Sequence, residues 1–125
     1  MVSVDTSVNS SKFRLRRVGG VLVVESLVQQ LDAHEALLKV INEAMSKTGD
    51  GLIIHLPTPN YITSLFIHSI LDAADACKEA GRPFLAVVHP KLKLLIQMFN
   101  LQDHIPCADR LDSAITKIHS MKEKK

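Results

Sequence analysis

A chain of 125 residues, 46% of them apolar, can build one domain around its own hydrophobic core without metal or disulfide support. Fifteen basic against 13 acidic residues leave a formal charge of +2, too small a surplus to point to nucleic acid or an anionic membrane. One Tyr, four Phe and no Trp leave no platforms for base stacking, and Cys77 and Cys107 stand in neither metal-ligand nor redox spacing.

Residues 1–11 are rich in Ser, Val and Thr without periodicity and read as a flexible N-terminal tail. They lack a basic stretch followed by an apolar one, and no apolar run reaches the roughly 18 residues of a membrane span, so a cytoplasmic protein with reduced thiols is expected. Residues 12–120 are expected to form the domain. Phe13 and Leu15 alternate with Arg14 and Arg16 in a short edge strand, Gly19-Gly20 makes a tight turn, and Val21 to about Leu27 forms a second strand. The two make an antiparallel hairpin.

Asp32 is the expected cap of a helix whose stripe Ala36, Leu37, Val40, Ile41, Ala44 and Met45 ends at Gly49. Leu52 to Leu56 is an unbroken apolar run apart from His55, bounded by Gly51 and Pro57, which suits a central parallel strand covered on both faces. Pro57 and Pro59 end it, since proline cannot donate to a ladder. A helix from Ser64 to Ala80 follows, capped by Thr63 or Ser64 and closed by Gly81. Phe84 to Val88 is the next strand, and Pro90 opens a short helix holding Leu92, Leu95, Ile96 and Phe99. Leu101 to Cys107 returns to the sheet with Ile105 as its strand residue. Asp109 or Asp112 opens a last helix with Leu111, Ala114, Ile115 and Ile118, and 121–125 form a charged tail. The order β-β-α-β-α-β-α-β-α predicts a single α/β domain, with a mixed, mostly parallel sheet of about five strands and about four helices.

Enzyme chemistry finds little support. No Gly-rich phosphate loop lies between a strand and a helix. The histidines at 34, 55, 68, 89, 104 and 119 form no HxxxH or HxH pair, so no metal site is expected. Ser64 has no nucleophile-elbow glycines, Asp72 and Asp75 fit a solvated helix face, and His55 reads as a hydrogen-bonded residue near a strand end. What remains is a pair of hydroxyls, Thr63 and Ser64, at a strand-to-helix junction. Free N–H groups and the positive end of the helix dipole there accommodate a cap or a phosphate.

Four strings in this order resemble the STAS domain family, the fold of the bacterial anti-sigma factor antagonists, over residues 13–118. They are VLVVESLVQQLD (Val21 to Asp32), LIIHLPTPNYITS (Leu52 to Ser64), Ala80-Gly81 before Phe84 to Val88, and HPKLKLLIQMFNLQDHI (His89 to Ile105). In the family the loop after the central strand reads Asp-Ser-Ser/Thr-Gly or a close variant. Its first hydroxyl residue is phosphorylated by a partner kinase that is also the anti-sigma factor. Counted without a gap, the phosphoacceptor falls on Ser64 and the Asp on Thr63, while Leu65 and Phe66 replace the small residues. The resemblance implies a non-enzymatic, cytoplasmic regulator of transcription in a partner-switching pathway, without cofactor, direct nucleic-acid contact or membrane insertion. Its docking surface for the anti-sigma factor kinase would comprise Asn60, Tyr61, Ile62, Thr63, Ser64, Leu65, Phe66 and His68, with Ser64 or Thr63 as phosphoacceptor. An exposed strand edge or a Leu/Phe patch would leave room for a homodimer. The alternative is a STAS subunit of a larger assembly, such as a transporter, without a phosphorylation switch.

Overall fold

The computed structural model describes residues 12–28, 30–47, 49–56 and 61–123; the expected tail at 1–11 lies outside them. Alternation and turn chemistry set the first two strands. β1 (Phe13–Val18) and β2 (Val21–Ser26) pair antiparallel in the register Val18↔Val21 to Phe13↔Ser26. Gly19 at φ 58 and Gly20 at φ 84 occupy the two left-handed positions that a tight hairpin turn demands.

The remaining elements are β3 (Gln30–Leu31), α1 (His34–Met45), β4 (Leu52–Leu56), β5 (Tyr61–Ile62), α2 (Ser64–Glu79), β6 (Phe84–Val88), α3 (Pro90–Met98), β7 (Cys107–Ala108) and α4 (Leu111–Glu123). The main sheet has the order β1-β2-β4-β6-β7, parallel throughout except for the β1–β2 pair. The expected mixed α/β fold is the observed one. The parallel strands advance in one direction, and crossovers of one hand then put α1, α2 and α3 on the same face of the sheet. Leu22, Val24, Leu52, Ile54, Leu56, Phe84, Ala86 and Val88 point into that face and form the larger core. The intervening residues Val21, Val23, Ile53, Leu85 and Val87 form a smaller core under Ala114 and Ile118 of α4. β4 is thus buried on both faces, which explains its lack of apolar alternation.

Three details differ from the sequence reading. Asp32 does not cap α1: Ala33 occupies the cap position and no side chain bonds the first turn. Ile105 is buried, but in a turn whose N–H donates to the Leu101 carbonyl at 2.9 Å. The strand comes two residues later at Cys107–Ala108, with Pro106 lending its carbonyl to Ala86 N at 2.9 Å. The backbone of α4 continues to Glu123, past the expected start of the charged tail.

Because β2, β4 and β6 run parallel, their C-terminal ends share one edge of the sheet. α2 and α3 both start there, beside the segment that follows β2. That edge holds the Thr63-Ser64 junction.

Candidate functional site

The junction is held from two sides. β5 pairs with β3 in a short parallel ladder, Gln30↔Tyr61 and Leu31↔Ile62, and Thr63 N donates to the Leu31 carbonyl at 3.0 Å. These bonds tie the entrance of α2 to the chain leaving β2. No sequence signal marked this ladder, because each partner is two residues long. Thr63 is extended (φ −96, ψ 158), and its Oγ1 accepts from Phe66 N at 3.2 Å, so Thr63 is the cap. Ser64 is therefore the first helical residue. Its side chain is exposed, and its hydroxyl enters no hydrogen bond among the described residues.

Helical rotation sorts the next residues. Leu65 is 57% exposed, whereas Phe66 is fully buried, its ring centroid 5.9 Å from that of Phe13 at an interplanar angle of 27°. Ile67 is buried; His68, one turn beyond Ser64, is exposed. Ser69 is buried, and its hydroxyl donates back to the Leu65 carbonyl at 3.0 Å. Phe66 therefore leaves the expected docking set: it is a core residue. The stripe Phe66, Ile70, Ala73, Cys77, spaced by helical turns and buried along its length, is the signal that places it. Ile62 is half-buried against the core. Asn60 and the Tyr61 side chain lie outside the described residues. Ser64, Leu65 and His68 form the accessible part of the expected surface. Leu27, 46% exposed just after β2 at the same sheet edge, is an addition that the sequence did not single out.

The electrostatics favour an anion at Ser64. The first turn of α2 carries no acidic residue, so the positive helix end meets no counter-charge from its own first turn. α3 starts differently: His89 caps it, its Nδ1 accepting from Lys91 N at 3.1 Å, and Pro90 takes the first helical position. α3 offers no hydroxyl there.

His55 points to the opposite face of the sheet. It meets Glu25, with Nδ1 and Oε2 3.8 Å apart; Glu25 also lies 3.7 Å from Arg14 and 3.5 Å from Arg16. Among the described residues its Nδ1 is buried without a hydrogen-bond partner. Burial, opposed by Glu25 and reinforced by Arg16, lowers the His55 pKa. His55 is thus separated by the sheet from α2 and cannot act with Ser64 or His68. Burial also pushes the Cys77 thiol up to about 11, the state of an unreactive packing residue. Among the described residues no group of His, Cys, Asp or Glu could hold a metal ion. One open groove of about 710 Å³ lies between Lys93, Arg110 and Lys117, away from Ser64 and His55. No described helix is long and apolar enough to cross a membrane.

No family model matches the chain, and no curated protein matches it. Solved structures do. An anti-sigma factor antagonist from Mycobacterium paratuberculosis superposes with a TM-score of 0.73 at 19% identity, covering 86% of this chain and 92% of its own. The Bacillus cell fate determinant SpoIIAA in its phosphorylated form gives 0.64 at 19% identity, covering 85% and 98%. A sulfate transporter family protein from Wolinella succinogenes gives 0.71 at 17% identity, covering 86% and 91%. The chain has the STAS fold of the anti-sigma factor antagonists, as its sequence strings led us to expect.

Proposed function

We propose that the chain is a non-enzymatic docking protein of a partner-switching pathway, acting as an anti-sigma factor antagonist. It binds an anti-sigma factor that is also a serine kinase, and phosphorylation of Ser64 releases it. The observation that carries this reading is the division of labour at the start of α2. Thr63 is engaged as the cap, whereas the Ser64 hydroxyl next to it is exposed and unbonded among the described residues. Modifying Thr63 would cost the helix its cap; modifying Ser64 costs the fold nothing that the structure displays.

The mechanism follows from the site. Unmodified, Ser64, Leu65 and His68 present a small mixed surface with Leu65 as its apolar part. A docked partner desolvates it. A phosphate adds roughly −1.5 to −2 charges and a hydration shell. In the free protein the helix N-terminus tolerates that charge, and the absence of acid from the first turn removes a source of repulsion. Against a closely packed partner the same group must be desolvated, so the complex dissociates while the fold persists. In this reading the protein works in the cytoplasm and touches no nucleic acid.

Ser64→Asp and Ser64→Ala test it on the kinase partner recovered by affinity capture. Ser64→Asp is expected to weaken binding by about 100-fold, equivalent to about 2.7 kcal/mol; Ser64→Ala binds normally and is no longer released by ATP. Equal affinity of both variants in the presence of ATP would count against the switch. The second reading, an accessory subunit of a larger assembly, draws on the likeness to the sulfate transporter family protein and on the exposed apolar residues of α3. It predicts that neither Ser64 variant changes assembly.

A further inference from the structure

Ser64 and His68 stand one turn apart in a single row on the outer face of α2, with Leu65 next to both. At that spacing the Cβ atoms lie about 5–6 Å apart. Helical side chains also lean toward the N-terminus, so an imidazole at 68 is within reach of a group built onto Ser64. All three residues are exposed. His68 enters no hydrogen bond or ion pair among the described residues, although Asp72 stands one turn further along the same row.

The cap limits what a phosphate on Ser64 can meet. Thr63 Oγ1 already accepts from Phe66 N at 3.2 Å, and Ile67 N donates to the Thr63 carbonyl at 3.2 Å. Two amides of the first turn are therefore engaged. α2 has no Lys or Arg before Lys78, in its last turn. His68 is thus the one residue of α2 within a turn of Ser64 that can carry positive charge. From the neighbouring chain, the β3–β5 ladder sets the start of α1 close to that of α2, and the titratable groups there are Asp32, His34 and Glu35.

We propose that His68 is the internal counter-ion of phosphorylated Ser64, and that this pairing withdraws it from the docking surface. The role rests on Ser64 as the phosphoacceptor. In the unmodified chain the imidazole is available to a partner. In the modified chain imidazolium and phosphate hold each other beside Leu65, in a charge-assisted hydrogen bond. One modification then removes a polar contact from the partner and adds a charged pair that docking would have to desolvate. His68 acts here as a positioning residue for the phosphate.

A phosphate monoester takes its second charge near pH 6, and an adjacent cation moves that step to lower pH. The test is a phosphorus NMR titration from pH 5 to 8 of the full chain with phosphoserine installed at Ser64 during synthesis. Circular dichroism confirms that each variant is folded. The second ionisation of the phosphate is expected about 0.3 pH unit lower with His68 than in His68→Gln, the size that an exposed charge pair one turn apart allows. His68→Lys keeps a cation in the row and should restore the lower value, and about 1 M salt should shrink the difference. Asp32, His34, Glu35 and Asp72 are common to all three chains and cancel in the comparison. Equal titrations of wild type and His68→Gln, or no restoration by His68→Lys, would overturn the proposal. No partner enters this assay, so the two readings fail separately. Equal titrations beside an ATP-driven release remove the pairing and keep the switch; a displaced titration in a chain whose partner ignores Ser64 keeps the pairing and removes the switch.

Discussion

Leu65 and Phe66 are consecutive, both large and apolar, and both in the first turn of α2, yet one is 57% exposed and the other fully buried. The difference comes from the roughly 100° that each helical residue advances around the axis. Phe66, Ile67, Ile70, Ala73 and Cys77 face inward and hold α2 on the sheet. Ser64, Leu65 and His68 face outward, with their side chains exposed. Two turns of one helix therefore carry stability on one side and leave the other side open to a partner and to modification. The proposed switch needs this separation: a phosphate that unfolded the protein would destroy it instead of releasing it from a partner.

Substitutions on the two faces should separate in the same way. The largest stability effect belongs to Phe66→Ala, which empties the space against Phe13 and should cost about 3–5 kcal/mol in denaturant unfolding. Leu65→Glu should change stability by no more than about 0.5 kcal/mol. Under the proposed function it should nevertheless weaken partner binding by about 1–3 kcal/mol, read by calorimetry with the captured partner. A stability loss at Leu65 comparable to that at Phe66 would break the distinction. Thr63→Val lies between the faces: it keeps the shape and removes the cap, and should cost about 1 kcal/mol.

The smallest effect lies on the far side of the sheet. The His55 pKa is lowered in the fold from 6.5, chiefly by burial. As pH falls through the unfolded value the unfolded chain binds the proton first, so stability declines from about pH 6.5 downward and the loss is complete below the folded pKa. His55→Gln should flatten that part of the stability–pH curve, measured by urea unfolding from pH 7 to 5. An unchanged slope would show that His55 is not the group responsible.

Much of this fold could be read before it was seen. β4 and β6 match their expected limits to the residue, because each is a short apolar run closed by Gly or Pro: Gly51 and Pro57 around one, Pro83 before the other. Where the reading failed, local chemistry misled it. Asp32 is a good capping residue, but Ala33 takes the position, and tertiary packing of Leu37, Val40 and Ile41 holds α1 without a side-chain cap. Ile105 is apolar and buried, which is as true of a packed turn as of a strand. The site was legible as a hydroxyl pair. Which of the two caps the helix depends on the extended backbone of Thr63, a property of the chain's path that composition does not encode.

We propose Ser64 as a phosphoacceptor whose modification releases a partner. Its most direct test is affinity capture of the protein's partners from the native cell's lysate, with and without added ATP, followed by mass spectrometry of both components. An ATP-binding partner of the kinase type, released as phosphate accumulates on Ser64, is the expected result. A complex that stays intact in ATP, with no phosphate on Ser64 or Thr63, would contradict it.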